Sequence, residues 1–558
     1  MSDQFSSKEQ ASAQKLRGGY YTPDILAEYL ANWAIRTGCE RILEPSCGDG
    51  SFVRAAARRL CDLAQNGDAT AGSLTGVELQ HSELTKAADS LTAYPQLAVT
   101  SEWISADFFE AYGSLKEDRK FDVVLGNPPF IRFQYFEDES RKQAFGHLRK
   151  AGYRPTKLAN AWAAFVQLSI ELVAENGRLA MVVPAEILQV TYAGELRERL
   201  TKQFAHIILI GFQKLVFPDI QQEVLLLLAE GKRSGIVAES DIHTIEFLDG
   251  NELIESGELD SCTAHIPAKH SRIGMKWTSL FLSEESFRAL DEAESLPGIV
   301  ALGELADVAV GVVTGRNEFF VLTKALRDEM DAANYTIPLV GRTAALKSNA
   351  FTSADFAIYR EGNPAYLLDL SSHEVRDLPL ILKDYLKIGE KNGVHQGYKC
   401  RIRKRWFDVP SIYIPDAFLF RQIHRYPLLV VNKANAVSTD TIHRVRFNEG
   451  VNGDLLACVA FNSLTLAWAE VCGRSYGGGV LELEPNEAKQ LPIPYDNNIQ
   501  LDIEKVDCLL RSGKYEDALD YVDQTVLIDH FGFDKRIVRG VRNAWIELRD
   551  RRINRKPQ

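Results

Sequence analysis

Short apolar segments alternate with amphipathic ones between residues 41 and 229 of this 558-residue chain, and no other feature restricts the fold as strongly. Short apolar runs predict strands, and apolar residues at a 3.6-residue spacing predict helices. Strands are predicted over 41–44, 74–79, 121–126, 178–183, 206–210 and 223–229, and helices over 52–64, 81–91, 158–174 and 194–202. This alternation predicts an α/β fold with a doubly wound, mostly parallel sheet. The last two strands have no helix between them, so we expect an antiparallel pair at one edge.

The regular alternation stops near residue 240, and the rest of the sequence mixes short strand, loop and helix signals. We therefore predict a first domain over 1–245, a second domain over 246–500 and a C-terminal helical segment over 501–558. A content of 46% hydrophobic and 25% charged residues is typical of globular domains with sizeable cores. No apolar run is long enough to cross a bilayer, so we expect a cytoplasmic protein without a membrane partner.

Charge and cysteine content bear on the partners of the chain. The net charge of −12 by itself argues against nucleic acid, because neutralising phosphates requires Lys and Arg. Basic residues nevertheless outnumber acidic ones in 141–157, 399–449 and 535–558, and such clusters favour DNA or RNA binding. A solvated surface is the alternative for each cluster. The eight cysteines are scattered without C-x-x-C pairs, which indicates reduced thiols and predicts no metal site.

A rigid tetrapeptide, Asn127-Pro128-Pro129-Phe130, follows the predicted strand 121–126. The prolines have a fixed φ and no N–H, so the Asn127 side chain and the Pro128 carbonyl form a stiff edge of hydrogen-bond acceptors. The amino group of a nucleobase has two N–H bonds to donate to such an edge, and the planar base can stack on Phe130. We interpret the tetrapeptide as a site of methyl transfer to this amino group. A turn that closes the strand is the alternative.

Glycines and acidic residues recur at the ends of the predicted strands. Gly48 and Gly50 follow the first strand and precede a helix, so the backbone there can turn tightly and approach a ligand. Glu78 ends the second strand, where a carboxylate is well placed to accept both hydroxyls of a ribose. Asp107, at the next strand end, offers an acceptor for an adenine amino group, and Phe108 offers a ring that packs on the base. This recurrence favours a cofactor that contains adenosine.

Five sequence blocks occur in the order and spacing of the gamma-class DNA adenine-N6 methyltransferases, which the chain resembles in a TaqI-like layout. The blocks are Gly18-Gly19-Tyr20-Tyr21-Thr22-Pro23, Leu43 to Phe52, Gly76-Val77-Glu78, Ala106-Asp107-Phe108 and Gly126 to Phe130. The resemblance implies a class I methyltransferase fold, with a Rossmann-like, seven-stranded sheet, and S-adenosylmethionine as methyl donor. It also implies cofactor contacts from Tyr21, Thr22, Glu44, Ser46, Gly48, Gly50, Phe52, Glu78, Asp107 and Phe108. Among these, Thr22 would hold the carboxylate of the cofactor and the 44–50 loop its methionine part.

The expected reaction methylates N6 of an adenine that is flipped out of double-stranded DNA, in a restriction-modification, phage-defence or epigenetic system. The tetrapeptide Asn127-Pro128-Pro129-Phe130 would be catalytic, with Phe130 stacking on the base. A looser block, Leu215-Val216-Phe217-Pro218, resembles the one whose aromatic covers the other face of the base. Phe217 is therefore the second stacking candidate, and core packing is the alternative. After Pro218 the sequence departs from the pattern, because no lysine is present to reach the base.

Residues 246–500 are expected to form a mixed α/β target-recognition region, because 311–320 and 483–494 resemble segments of such domains in the same group. Basic and amide side chains there suit phosphates or base edges. The predicted DNA contacts are Arg316, Asn317, Arg401, Arg403, Lys404 and Arg405. Trp406, beside this run, is either a stacking residue or a core residue. Double-stranded DNA is the expected partner, with a separately encoded restriction endonuclease or defence-complex subunits as further partners.

Two other functions remain open on the sequence. An enzyme with the same tetrapeptide can act on RNA or on a protein glutamine. The side-chain amide of glutamine, like the amino group of a base, needs acceptors for its N–H bonds. The basic clusters and the long region after residue 245 argue against this reading. The second alternative is a modification subunit that is active only within a larger complex.

Overall fold

The computed structural model describes residues 22–555 except for 66–71, 95, 96, 98, 99, 119, 218–222, 234, 236–238, 258, 260–262, 273 and 477. The described residues form two compact units. The N-terminal unit contains the described residues up to Phe281 together with Asn554 and Arg555, and the C-terminal unit is Leu282–Ile553.

An eight-stranded sheet in the order β3-β2-β1-β4-β5-β7-β6-β8 forms the centre of the N-terminal unit. The strands are β1 (Arg41–Glu44), β2 (Ser73–Glu78), β3 (Glu102–Ser105), β4 (Phe121–Gly126), β5 (Val173–Pro184), β6 (Phe204–Phe212), β7 (Val224–Lys232) and β8 (Asp241–Phe247). Among these strands β7 alone runs antiparallel to its neighbours, β5 and β6. The sheet is therefore mostly parallel and doubly wound, as predicted.

Helices follow most of the strands, as a parallel sheet requires. They are α1 (Asp24–Ala34), α2 (Ser51–Gln65), α3 (His81–Asp89), α4 (Phe108–Asp118), α5 (Asp138–Lys150), α6 (Ala161–Leu172), α7 (Gly194–Gln203) and α8 (Gly250–Glu255). Nearly every side chain of β4 and of the second half of β5 is buried. Because successive side chains in a strand point to opposite faces, both faces of the sheet are covered there. Helices α1 and α6 both contact these two strands.

The sheet has eight strands, not the seven predicted, and the predicted edge pair is not at the edge. Strands β6 and β7 do form the predicted antiparallel pair, but β8 pairs in parallel with β6 and occupies the edge instead. The side chains of β8 are only partly buried, with full burial at Ile242 and Phe247. Such a strand lacks the continuous apolar run of a central parallel strand, which explains why the sequence pattern did not reveal it.

Four smaller sheets and a set of short helices build the C-terminal unit, in which the strand orders are β10-β19-β15-β17-β13, β11-β14-β12-β18, β16-β21-β20 and β22-β9. The strands are β9 (Ile299–Ala301), β10 (Ala306–Ala309), β11 (Val321–Leu322), β12 (Thr336–Val340), β13 (Ala350–Thr352), β14 (Tyr366–Leu368), β15 (Ala417–Phe420), β16 (Gln422–Ile423), β17 (Leu429–Lys433), β18 (Val437–Ser438), β19 (Ile442–Phe447), β20 (Arg474–Tyr476), β21 (Val480–Glu482) and β22 (Pro492–Pro494). The helices are α9 (Glu284–Glu294), α10 (Leu302–Leu305), α11 (Asn317–Phe320), α12 (Lys324–Glu329), α13 (Ser353–Tyr359), α14 (Leu380–Lys391), α15 (Tyr398–Arg401), α16 (Gly453–Val459), α17 (Ser463–Cys472), α18 (Pro485–Ala488), α19 (Ile503–Arg511), α20 (Tyr515–Val522) and α21 (Lys535–Ile553), and a π-helical segment covers Asp523–His530.

The boundary between the units lies after Phe281, not at residue 245 as predicted. Residues that follow β8 pack back on that strand: the Thr244 hydroxyl donates to the Leu280 carbonyl at 2.8 Å, and Ile242 forms an antiparallel bridge with Lys269. Trp277 is fully buried. The sequence loses its regular alternation before the unit ends, because these residues bond to β8 without forming a further regular strand.

The sequence predicts a separate helical segment over 501–558, but the helices after residue 500 belong to the C-terminal unit. Trp545 is fully buried in the core of the C-terminal unit. Gly540 lies so close to α9 that a Cβ added to it would come within 2.4 Å of the Ala289 Cβ. Arg552 forms a buried ion pair with Glu470 of α17 at 2.6 Å. Helix α21 is therefore part of this core, because its apolar side is covered by α9 and α17.

No single described helix is long and apolar enough to cross a membrane. The bent pair Gly453–Val459 and Ser463–Cys472 meets that criterion only when its two helices are counted together, and most of their side chains are buried in the C-terminal core.

Candidate active site

Two loops meet where the strand order of the large sheet reverses. Strand β1 pairs with β2 on one side and with β4 on the other, so the carboxyl ends of β1 and β4 form the switch point. Doubly wound sheets bind ligands at this position. The 44–50 loop leaves β1 there, and the 126–130 segment leaves β4 there. The Ser46 hydroxyl joins the two by donating to the Asn127 carbonyl at 3.2 Å.

The Asn127 side chain is oriented by a residue from the N-terminal block. Its amide nitrogen donates to the Thr22 hydroxyl oxygen at 3.1 Å, and Thr22 itself is buried just before α1. This bond directs the nitrogen toward Thr22 and so fixes the opposite orientation for Oδ1, the acceptor atom of the amide. The structure therefore brings together two predicted site residues that are 105 positions apart in sequence.

The glycine loop has the backbone conformation that its residues predict. Gly48 and Gly50 have φ values of +48° and +89°, in the left-handed region that favours glycine. A Cβ added to Gly50 would lie 2.8 Å from the Ala87 Cα of α3, whereas one added to Gly48 would meet no atom within 4 Å. Gly50 thus allows close packing of the loop on α3. Gly48 borders open space, into which a ligand can fit without displacing the chain.

Backbone N–H groups orient the Glu78 carboxylate at the end of β2. The Gly48 N–H donates to one oxygen at 3.0 Å and the Gln80 N–H to the other at 2.9 Å. A carboxylate offers about four acceptor positions, so both oxygens can accept further hydrogen bonds, for example from the hydroxyls of a ribose. The next residue, Leu79, is 65% exposed. No sequence pattern marks this side chain, because one exposed leucine is common on any protein surface.

A second carboxylate, Glu44, is buried at the end of β1. Burial is the largest cause that raises the pKa of Glu44 well above its ordinary value, and repulsion from Glu78 and Asp49 adds to it, while a hydrogen bond from the Ser46 N–H lowers it in part. Gly126 allows this packing, because a Cβ there would lie 2.7 Å from the Glu44 Oε1. A positively charged ligand group at the switch point would stabilise the ionised form.

Asp107 follows β3 and is held by two donors. The Phe109 N–H donates to one oxygen at 2.8 Å, and the Ser140 hydroxyl of α5 donates to the other at 2.5 Å. Phe108 is almost fully buried, and Phe165 of α6 stacks on its ring with centroids 4.9 Å apart. The contact of Phe108 with an adenine ring stays a prediction, since Phe165 already covers one face. The sequence did not indicate Ser140, because it lies 33 residues beyond Asp107 and no local pattern connects the two residues.

The two predicted stacking aromatics both follow strands that end at this edge of the sheet. Phe130 comes after β4 and is 9% exposed, and Phe217 comes after β6 and is 3% exposed. Since β6 is parallel to β5 and therefore to β4, their carboxyl ends point the same way. The stacking role of both residues stays a prediction. Residues 218–222, where the expected lysine is missing from the sequence, lie outside the described part of the chain.

The remaining predicted residues of this site behave as loop and core positions. Phe52 is 4% exposed near the start of α2, and Pro128 is buried while Pro129 is partly exposed. Tyr21 lies outside the described residues. The predicted cofactor contact of Phe52 stays a prediction.

The predicted DNA-contacting residues of the C-terminal unit divide into two groups. Arg316, Asn317, Arg401 and Lys404 are exposed. The guanidinium of Arg403, in contrast, donates to the carbonyls of Thr314 at 2.7 Å and Val313 at 3.1 Å. That of Arg405 donates to the His373 carbonyl at 2.7 Å and pairs with Asp408 at 2.7 Å. We therefore withdraw the phosphate-contact prediction for Arg403 and Arg405, because their donors already hold the fold together.

Trp406 is partly buried and packs against the core of the C-terminal unit. Its ring packs against Phe319 with a centroid distance of 5.3 Å and against Phe320 at 6.2 Å. Its indole N–H donates to Glu390 at 3.2 Å. Of the two sequence interpretations, the structure supports the core residue and not the stacking residue.

Comparisons with known proteins agree with this arrangement in both units. Residues 4–261 match the family model described as N-6 DNA Methylase, and residues 274–527 match that of the C-terminal domain of the Type II methyltransferase M.Eco57I. The Type II methyltransferase M.AccI of Acinetobacter calcoaceticus is 22% identical over 481 residues, which span 84% of this chain and 83% of the relative. The Type II methyltransferase M.XamI of Xanthomonas campestris pv. amaranthicola is 22% identical over 492 residues and 86% of each chain.

The fold of the chain also has a counterpart among solved structures. The Type IIL restriction-modification enzyme MmeI, solved in complex with DNA, superposes with a TM-score of 0.52 at 13% identity, over 96% of this chain and 73% of that one. The large sheet with its switch-point loops is that of the class I methyltransferases. Residues 4–261 thus match the N-6 DNA Methylase family, and the chain as a whole is similar to Type II DNA methyltransferases.

Proposed function

We propose that the chain transfers a methyl group from S-adenosylmethionine to the N6 amino group of an adenine in double-stranded DNA. The observation that carries the proposal is the orientation of Asn127 by Thr22 at the switch point. We expect the amide oxygen of Asn127 and the Pro128 carbonyl to serve as the two acceptors that a planar amino group needs. Relatives named as Type II methyltransferases, and a solved relative in complex with DNA, support DNA as the substrate.

The switch-point residues suit S-adenosylmethionine, which would supply a methyl group on a positively charged sulfur. Glu78 would accept the ribose hydroxyls and Asp107 the adenine amino group of the cofactor. The Thr22 hydroxyl, which accepts a bond from Asn127, can still donate its own hydrogen to the cofactor's carboxylate. The buried Glu44 carboxyl, whose pKa is raised by burial, would gain a cationic neighbour that favours its ionised form.

Asn127 and Pro128 would activate the target nitrogen. The lone pair of N6 is delocalised into the ring, so this nitrogen is a poor nucleophile. As the N6–carbon bond forms and the carbon–sulfur bond breaks, positive charge develops on N6, and its N–H bonds to these two acceptors become stronger. Hydrogen bonds that strengthen in the transition state lower the barrier. N6 then loses a proton to solvent, so no strong general base is required.

Phe130 and Phe217 are the proposed stacking partners of the flipped adenine. Extruding a base from a duplex costs a few kcal/mol, and stacking returns about 1–3 kcal/mol per base. Both rings are largely buried by their own unit, so a base would have to separate them from part of their present surroundings. The free energy of base flipping would then depend on stacking of the adenine with both Phe130 and Phe217.

Sequencing of modified bases in bacterial DNA tests the proposal. A host without adenine methylation of its own would express the wild type, Asn127→Ala and the control Asn334→Ala, which changes an exposed asparagine of the C-terminal unit. We expect N6-methyladenine at one short sequence motif with the wild type and the control. We expect none with Asn127→Ala, although the purified variant should still bind S-adenosylmethionine in calorimetry.

Three results of this experiment would contradict the proposal. Methylcytosine in the host DNA would change the target base, and equal methylation by Asn127→Ala would remove the proposed role of the tetrapeptide. If the purified wild type methylated RNA or a protein glutamine but no DNA, the substrate class would be wrong.

A further inference from the structure

Two segments of the C-terminal unit, 314–317 and 397–404, lie against each other, and we call them the paired loops, although the second contains the short helix α15. Arg403 joins them through its bonds to the carbonyls of Val313 and Thr314. Gly315, with a φ of +80°, allows the close approach, because a Cβ added to it would lie 2.7 Å from the Lys399 Cβ. Cys400 is fully buried between the loops. These contacts make the paired loops one surface.

The paired loops carry four exposed cations, which are Arg316, Lys399, Arg401 and Lys404. Among the described residues none of the four forms an ion pair, whereas their neighbour Arg405 pairs with Asp408 at 2.7 Å. Four unpaired cations on one small surface repel one another and attract a polyanion. The net charge of −12 makes such a concentration of positive charge unusual for this chain.

Two large apolar side chains stand among these cations. Tyr398 is 65% exposed and Ile402 is 62% exposed, while Cys400 and Arg403 of the same segment face inward. The Lys399 ammonium lies 5.8 Å from the centre of the Tyr398 ring. Exposed apolar side chains that are clustered, and not scattered singly, mark a binding surface. Apolar side chains flanked by unpaired cations match a DNA groove flanked by phosphates.

A rigid base supports the paired loops. Phe319, two residues after the first loop, stacks on Tyr385 of α14 with centroids 4.6 Å apart and parallel rings. Trp406, two residues after the second loop, packs on the same Phe319. The exposed side chains are therefore held by ordered neighbours at both ends, which reduces the entropy lost on binding.

We infer that the paired loops form a contact surface for duplex DNA, with the four cations on phosphates and with Tyr398 and Ile402 inserted in a groove. This inference rests on the proposed function, because it assumes that DNA is the substrate. It adds two apolar contacts to the cations that the sequence had indicated. Charge complementarity selects DNA over a protein partner such as an endonuclease subunit, for which four unpaired cations would be costly to desolvate.

Two double variants of the full chain test this surface. Arg401→Ala with Lys404→Ala removes two phosphate contacts and should make the slope of log affinity against log salt less negative by about 1.8, or about 0.9 per phosphate. Tyr398→Ala with Ile402→Ala leaves the charge unchanged and should weaken binding roughly tenfold with the slope preserved. Fluorescence anisotropy with a duplex that carries the methylated motif, measured over a range of NaCl concentrations, gives both quantities.

Matched controls separate this surface from general effects. Arg288→Ala with Arg376→Ala makes the same change in charge at exposed positions of the same unit, and Ile358→Ala with Leu380→Ala removes two other exposed apolar side chains. Both controls should bind DNA as the wild type does. The inference is overturned if the test variants bind and methylate DNA normally, or if they lose only the binding of an endonuclease. A wild type that binds no DNA would overturn the proposed function as well.

Discussion

Glu44 couples the stability of the N-terminal unit to pH. The folded state raises the pKa of this carboxyl through burial and through repulsion from Glu78, so it holds a proton more tightly than the unfolded chain does. Stability therefore falls as the pH rises from the unfolded pKa of about 4.3 toward the raised folded pKa. A buried carboxyl that lowers the stability of the folded protein at neutral pH is expected in a binding site, where a bound ligand can compensate for the loss.

We predict that Glu44→Gln raises the melting temperature of the chain, because the amide has nearly the same size and can be buried without either taking up a proton or burying a charge. The gain should grow as the pH is raised from 5 to 8 and should nearly vanish near the unfolded pKa of about 4.3. The same variant should bind S-adenosylmethionine more weakly. Differential scanning fluorimetry with calorimetry checks both effects, and a lower melting temperature at pH 8 would contradict the argument.

Arg401 and Arg403 illustrate how the same residue type acquires different roles two positions apart. The sequence predicts phosphate contacts for both. In the structure Arg401 is exposed, whereas Arg403 is half-buried and bonds to two carbonyls of the neighbouring loop. Burial lowers the pKa of Arg403, although its carbonyl contacts keep the charge well satisfied. A basic run therefore names candidates, and only the local packing separates binding residues from structural ones.

At the scale of elements, the loop between β1 and α2 shapes the edge of the sheet where we propose that the cofactor binds. Its two glycines look equivalent in sequence, but they have different surroundings. Gly50 packs against α3, and Gly48 borders open space. Of the two glycines, only Gly50 is therefore required for packing against a neighbouring helix.

We expect Gly50→Ala to be more damaging than Gly48→Ala. Both changes place an alanine at positive φ, which costs about 1–2 kcal/mol. Gly50→Ala also forces α3 to move, since the new Cβ would lie 2.8 Å from the Ala87 Cα. Urea unfolding of the two variants measures the difference, and Gly48→Ala serves as the control for backbone strain. Equal losses of stability would show that the contact with α3 is unimportant.

At the scale of the whole molecule, the chain has two hydrophobic cores. The helices after residue 500 complete the core of the C-terminal unit, with Val541, Trp545 and Leu548 on the buried side of α21. The N-terminal unit has its own core around the eight-stranded sheet. We therefore expect that a loss of the C-terminal core leaves cofactor binding by the N-terminal unit unchanged.

Trp545→Ala tests this separation. Removing a fully buried indole should lower the stability of the C-terminal unit by about 3–5 kcal/mol. DNA binding should be lost at a lower temperature than in the wild type, while S-adenosylmethionine binding at moderate temperature should be unchanged. Calorimetric scans with and without the cofactor report both units. Loss of cofactor binding by the folded variant would contradict the assignment of Trp545 to a separate core.

Local sequence patterns determined the class of the N-terminal fold, its central strands and the loops at their ends. Strand and helix periodicity, glycines at turns and the Asn127-Pro128-Pro129-Phe130 segment all depend on short-range geometry, which a sequence states directly. Tertiary structure alone decided the eighth strand, the boundary at Phe281 and the membership of α21 in the second core. It alone also decided that Thr22 orients Asn127, that Ser140 holds Asp107 and that Arg403 faces inward. These features depend on contacts between residues distant in sequence, and the free energy of such contacts depends on packing that no local pattern records.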